Sequence, residues 1–287
     1  SMFGFQRIGD LAWAAGDMQA RGFLIGATAG RTTLNGEGLQ HQDGHSHLLA
    51  NMIPNCRTYD PAYAYEVVTI VQNGLKVMFE EQENCFYYIT TMNENYLQPP
   101  MPENVEEGII KGMYLFEEGD ASELKVQLMG AGSILNEVRE AAIILKEKYG
   151  VASDVWSLTS VNQLTRDGQA VERWNMLNPK ENAKMAYITE QLTDRQGPVV
   201  VATDYVKSYT EQLRAFIPAN YKVLGTDGFG RSDTREKLRH FFEVNRYFIV
   251  LATLKSLSDE GKIEIAVVAQ AIADYDLDSD KVNPLYC

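Results

Sequence analysis

Three of the chain's four histidines, His41, His45 and His47, fall within seven residues beside Asp43. Imidazole titrates near neutral pH, so a loop histidine facing a pocket can donate or accept a proton during a reaction. The stretch that carries them, Gly30 to His47 (GRTTLNGEGLQHQDGHSH), holds Gly30, Gly36, Gly38 and Gly44, few apolar residues and no sustained period. Loops this long are uncommon in compact domains and are usually functional or disordered. Three roles are open to the imidazoles. They can ligate a metal, although the spacing matches neither the helical His-x-x-x-His zinc motif nor a Cys/His ribbon. They can be structural, satisfying backbone groups in turns. Or they can line an active site, because glycine lets the backbone approach a ligand closely.

Two other loops carry weaker signals. Gly130-x-Gly132-Ser133 lies between an apolar run and a helical one. The free amides of a helix start can hold a phosphate. The third glycine of the dinucleotide fingerprint is missing, since Val138 and Arg139 follow, so a tight strand-to-helix turn is the plainer reading. Gly225 to Asp233 (GTDGFGRSD) follows a strand pattern and precedes a helix. Open α/β sheets bind ligands at such strand ends. Asp227, Arg231 and Ser232 are its candidates for an anion loop, with Arg231 able to clamp a carboxylate or phosphate. The alternative is a structured loop in which Asp233 caps the helix starting at Thr234. The aromatic group Tyr59, Tyr63, Tyr65, Phe86, Tyr87 and Tyr88 reads as core or interface.

The elements that must position these loops follow from period and punctuation. With 287 residues the chain has material for about two domains. Three prolines in four residues, Pro99, Pro100 and Pro102, cannot sit in a helix interior or central strand. We therefore expect one domain over residues 1–98, a proline-rich linker at 99–108, and a second domain over 109–287. Before the linker, helices are expected near Asp10–Arg21 and Thr58–Phe79, the latter capped near Asp60. Strands are expected at Phe23–Ala27 and Cys85–Thr91. After it, strands at Lys125–Met129, Val151–Leu158, Pro198–Ala202 and Tyr221–Gly225 alternate with helical patterns. Among those patterns are Ile134–Tyr149, Asn182–Asp194 and Val206–Phe216. Alternation of this kind requires a mainly parallel sheet covered on both faces. The expected fold class is α/β: a partial α/β domain, then a complete three-layer α/β/α domain.

Composition limits the partners. A net charge of −13 disfavours binding to nucleic acid or an anionic membrane surface. No apolar run approaches the ~20 residues needed to span a bilayer, and the amino end lacks a signal-peptide layout. Three widely spaced cysteines argue against a disulfide framework, so a cytoplasmic location is expected.

Several segments in order, FQRIGDLAWAAGDMQARGFLIG, GRTTLNGEGLQHQDGHSH, NCRTYDPAYAYEV, YYITTMNENY, RDGQAVERWNML and VLGTDGFGRSD, resemble the carboxyl third of the homodimeric pyruvate dehydrogenase E1 component. That family is thiamine-diphosphate-dependent and transketolase-like. The resemblance implies the last portion of a pyrimidine-binding middle domain followed by a carboxyl-terminal domain. It implies an oxidoreductase of the pyruvate dehydrogenase complex, which decarboxylates pyruvate on thiamine diphosphate and reductively acetylates the lipoyl group of a transacetylase. His41 matches a catalytic histidine near the reacting carbon, and Phe3 an aromatic residue that packs on the aminopyrimidine. Asp43, His45 and His47 take supporting roles in the loop. Relatives often read His-Glu-Asp-Gly-His-Ser-His where this chain has Gln42. The family's Gly-Asp-Gly…Asn motif for magnesium and diphosphate does not occur in these residues, nor does its activating glutamate. The resemblance thus implies partners in the remaining E1 segments, a second E1 subunit and the lipoyl-bearing transacetylase. No metal ligand is expected here, no cofactor is expected to bind this chain tightly, and the chain alone is expected to be inactive. The alternative is a non-catalytic dimerisation or assembly module of the same complex.

Overall fold

The computed structural model describes residues 2–287, with side chains from Phe5 onward. Two parallel sheets organise it. The first has three strands, β1 (Phe23–Ala27), β2 (Cys56–Tyr59) and β3 (Phe86–Thr91), in the order β1-β3-β2, all parallel. Helices α1 (Met2–Asp17), α2 (Ser46–Asn51) and α3 (Ala64–Leu75) accompany it, and a wide helical turn, Lys76–Glu80, extends α3. Residues 92–104 then run without regular structure, as the prolines require.

The second sheet has five strands: β4 (Met113–Glu117), β5 (Lys125–Gly130), β6 (Ala152–Leu158), β7 (Val199–Ala202) and β8 (Tyr221–Leu224). Their order is β4-β6-β5-β7-β8, parallel except for β4, which runs antiparallel along one edge. Strand alternation builds two cores. Leu128 and Val200 face one side with Val138 of α5 (Ile134–Tyr149) and Ile249 and Val250 of α10 (Arg246–Asp259). Met129, Val199 and Val201 face the other with Val161 and Leu164 of α6 (Val161–Leu177) and Tyr209 of α8 (Lys207–Glu211). Helices therefore cover both faces, as expected for parallel strands. Helices α4 (Glu106–Lys111), α7 (Tyr187–Leu192), α9 (Arg235–Phe241) and α11 (Ile265–Asp274) complete the chain with short turns. No described helix is long and apolar enough to cross a membrane.

Four local expectations need correction. Thr58–Phe79 is not one helix: Thr58 and Tyr59 close β2, and α3 starts only at Ala64. Pro61 disfavours helical geometry for the residue before it, so Asp60 turns away instead of capping. The α3 start is held by Glu66, whose carboxylate accepts the Ala62 and Tyr63 N–H groups (2.5 and 3.1 Å). The segment Asn182–Asp194 is helical only over Tyr187–Leu192. The long helix α6 was not anticipated. Its polar sequence hides the period, and Gly168 interrupts it because a Cβ there would meet the Phe216 ring. Finally, Asp233 does not cap α9; Thr234 does, its hydroxyl accepting the Lys237 N–H.

The carboxyl ends of β1, β2 and β3 meet those of β5, β6 and β7. Asp60, just after β2, donates its N–H to Thr159 O (2.8 Å), and Gly132 N–H donates to Asp60 O (3.2 Å). Arg31, after β1, donates its N–H to Asp204 O beyond β7 (3.2 Å). The loops most apt for chemistry thus lie along a seam between the sheets.

Candidate functional site

The Gly30–His47 stretch runs along this seam. It is a loop until a single tight turn, Leu39–His41, and then until α2. His41 ends that turn, half-buried, with its N–H donating to Gly38 O (2.9 Å). The other candidates of the loop are consumed locally. Asp43 is fully buried and accepts the N–H groups of His45 and Ser46 (3.0 and 2.9 Å) and the Ser46 hydroxyl, which fixes the entry to α2. His45 presents Nδ1 to Arg31 Nη2, the donor, at 3.0 Å. Burial and then the Arg31 charge hold its imidazole below the usual histidine range. His47 is fully buried, ringed by Tyr88, Tyr205 and Tyr209 at centroid distances of 5.4, 4.7 and 5.0 Å. Burial pushes its pKa down to about 3. The three imidazoles do not converge as a metal site. Among the described residues no group of three or more His, Cys, Asp or Glu side chains is arranged to hold an ion. The side chain of Phe3 lies outside the described residues.

Below the loop sit four buried acids, Asp43, Asp60, Glu66 and Asp204. Sequence reading makes only Asp43 a site candidate and takes Asp60 for a helix cap; three of the four are fully provided with donors. Glu66 accepts Tyr114 OH and Ser157 OH (2.7 and 2.6 Å) besides its two amides. Asp204 accepts from Thr32 and Thr33. Asp60 is different. Its Oδ1 accepts the Thr90 hydroxyl (2.6 Å) and Oδ2 has no partner among the described residues. Burial, reinforced by the neighbouring acids and opposed by the Thr90 bond, pushes its pKa up to about 8. Thr90 Oγ1 also lies 3.0 Å from His47 Nε2, and His47 Nδ1 has no partner among the described residues. His47 Nε2 and Asp60 Oδ1 are 4.0 Å apart, yet near pH 7 both groups are neutral, so they do not form an ion pair. The signal in the sequence for Asp204 is its place two residues beyond an apolar strand; Asp60 follows β2, whose Cys-Arg-Thr-Tyr sequence is too polar to mark it.

The Gly225–Asp233 loop is divided. Asp227 accepts the Lys207 N–H (2.9 Å) at the start of α8 and lies 3.7 Å from Lys207 Nζ, so it serves a helix end. Arg231 and Ser232 line a cavity of about 730 Å3 together with Leu39, Phe229, Lys237 and Phe241. The Arg231 guanidinium lies 4.8 Å from the Phe241 ring centre. Gln42 ties the two loops: its Oε1 accepts the Arg231 N–H and its Nε2 donates to Leu34 O (both 2.7 Å). The Gly130–Ser133 turn is closed. Ser133 N–H meets Met92 Sδ (3.2 Å), and a Cβ at Gly132 would meet Asp60, which leaves no room for a phosphate.

Comparison with known proteins assigns the family. The pyruvate dehydrogenase E1 component middle domain matches residues 1–99, and the transketolase-like C-terminal domain matches residues 112–245. The pyruvate dehydrogenase E1 component of Pseudomonas aeruginosa is 64% identical over 290 residues, covering 100% of this chain and 33% of the relative. That of Escherichia coli is 61% identical over 286 residues, covering 99% and 32%. The chain therefore spans about a third of the length of the curated relatives it matches. Among solved structures, transketolase from Campylobacter jejuni superposes with a TM-score of 0.65 at 21% identity over 89% of this chain and 35% of that one. Transketolase from Leishmania mexicana gives 0.63 at 16% over 90% and 34%. At such identities the likeness is one of fold.

Proposed function

The chain belongs to the pyruvate dehydrogenase E1 family, and from that premise we propose that it is part of an enzyme that decarboxylates pyruvate on thiamine diphosphate and reductively acetylates a lipoyl group. The observation that carries this reading is the identity of 61–64% across essentially the whole chain. The complex would supply a second E1 subunit and the lipoyl-bearing transacetylase as partners.

The described residues do not form a seat for a magnesium diphosphate. The turn before α5 is filled by Asp60 and Met92, and the seam's acids are engaged by protein donors or stripped of charge. No step is therefore assigned to the cofactor through this chain. What the chain offers is a half-buried imidazole, His41, on a turn that packs near α1 and adjoins the Gly225–Asp233 loop. There it would hold or move a proton at the reacting carbon. Asp43, His45 and His47 support it by fixing α2, orienting Arg31 and filling the seam.

Two measurements test the reading. His41→Ala in the whole protein should lower pyruvate-dependent lipoyl acetylation by 10²-fold or more, within the range expected for loss of a proton-transfer group. Unchanged turnover would remove His41 from the mechanism. Titration of the 287-residue chain with thiamine diphosphate and magnesium should give no tight binding; micromolar binding would overturn the division of labour proposed here. Exposed apolar side chains on α1, the turn after it and β1, Leu11, Trp13, Met18 and Ile25, also favour an assembly role. Light scattering at high concentration should then show self-association, and a strict monomer would end that reading.

A further inference from the structure

The His41 loop meets its own sheet at its far end, where Ser46 and His47 reach Tyr88 and Thr90 of β3; its root is tied elsewhere. Its anchor lies in the other half of the chain, at a single buried carboxylate. Asp204 stands two residues beyond β7 and is fully buried. Thr32 donates its N–H and hydroxyl to Asp204 Oδ1 (2.8 and 2.6 Å). Thr33 donates its N–H and hydroxyl to Oδ2 (3.0 and 2.6 Å). Arg31 N–H reaches the Asp204 carbonyl (3.2 Å). Three consecutive residues at the root of the loop are thus tied to one side chain and its backbone. Gly30 takes φ +93°, and a Cβ there would run into Asp204 Oδ2, so the loop enters the contact at the closest approach its backbone allows.

The middle of the loop is secured to the same half. Gly36 N–H donates to Asp233 O (3.1 Å), and Gln42 accepts the Arg231 N–H (2.7 Å). Val206 N–H donates to Gly44 O (3.0 Å). Those are single bonds, as is the one from Arg235 Nε to Thr33 O (2.7 Å). The Asp204 side chain combines four donors with full burial, where such bonds are strong and hard to replace by water.

We propose that Asp204 is the positioning residue for His41, and that the carboxyl-terminal domain's part in the reaction is to hold the His41 loop in register through it. The proposal deepens the reading of His41 given above and rests on it. An oxygen-to-amide change breaks the pattern without changing volume. In Asp204→Asn the amide NH2 must face either the Thr32 pair or the Thr33 pair, setting donor against donor.

The test uses the whole protein. Hydrogen exchange should show amides 32–42 exchanging at least 100-fold faster in Asp204→Asn, with β5 and β6 amides unchanged. Exchange unchanged in the loop overturns the anchor. Steady-state kinetics should show kcat lowered 10- to 100-fold with KM for pyruvate altered less than threefold. Thr33→Ser, which keeps the hydroxyl, should behave as the parent, and Thr33→Val should follow Asp204→Asn. In a His41→Ala background Asp204→Asn should cost less than a further twofold in kcat. Independent, multiplying losses would show that Asp204 acts otherwise than through His41 and would overturn the proposal. Full activity of His41→Ala would instead sink the reading of His41, and the catalytic half of this inference with it, while the exchange result would still judge the anchor.

Discussion

Replacing Asp60 by asparagine tests the electrostatics of the seam. The Asp60 carboxyl is fully buried, with a pKa pushed from 3.8 up to about 8. A raised carboxyl stabilises the fold below its unfolded pKa and loses that contribution as pH climbs to the folded value. The slope is about 1.4 kcal/mol per pH unit. His47 works in the opposite sense. Its pKa falls from 6.5 to about 3, so its contribution is complete above 6.5 and is lost as pH drops towards 3. Between about pH 4 and 6.5 the two slopes cancel; above 6.5 only Asp60 titrates. The parent chain should therefore lose about 2 kcal/mol from this pair between pH 6.5 and 8. In Asp60→Asn that loss disappears and the His47 slope is uncovered. The variant should gain about 4 kcal/mol relative to the parent between pH 5 and 8, because every other titration cancels in the difference. Urea unfolding followed by circular dichroism at pH 5, 6.5 and 8 reads this directly. A difference between variant and parent that does not change with pH would mean that Asp60 is ionised in the folded chain, and the account of the seam would fail.

Three further outcomes are expected. Gly30→Ala places a side chain at φ +93° against Asp204 and should cost about 1–3 kcal/mol, read as a lower urea midpoint; an unaltered midpoint would show that the backbone there is free to move. Gln42→Glu removes the donor to Leu34 O and should cost about 1–3 kcal/mol at pH 8, with recovery near pH 4 as the protonated acid donates again; a pH-independent cost would refute that explanation. Ser160→Ala should cost about 2 kcal/mol, since the hydroxyl both caps α6 by accepting Gln163 N–H (3.0 Å) and donates to Thr58 O (2.6 Å); a loss under about 0.5 kcal/mol would show that water replaces it.

Periodic segments declared themselves. Ile134–Tyr149 appears with both ends where its pattern and Gly150 put them, because a two-sided sheet needs a helix with one apolar stripe. Val199–Ala202 reads as a continuous apolar run because both of its faces are buried. By contrast α6 has few apolar residues on which to judge a period, and only its amino end, Ser160-x-x-Gln163, carried a signal. The loop was legible as a loop, and its histidines as candidates. Its internal division of labour was not, since Asp43 and His47 differ from His41 only in burial, which depends on residues more than forty positions away, such as Thr90. The same limit hid the roles of Asp60, whose carboxyl meets Thr90 thirty positions on, and of Asp204, whose partners come from the other half of the chain.

The meeting of strand ends has a consequence for how the molecule assembles. Bonds across it join residues far apart in the chain, 145 positions between Tyr205 and Asp60 and 197 between Arg31 and Gly228. Contacts of such long range form late, after the local elements of each half. Before that closure Asp60 faces water and is ionised at pH 7; afterwards it carries hydrogen. Assembly is then a proton-consuming event. A weakly buffered indicator dye mixed with the refolding chain should register alkalinisation in the slow phase, and Asp60→Asn should diminish it, any remainder belonging to Glu66 and Asp204, whose carboxyls burial also raises.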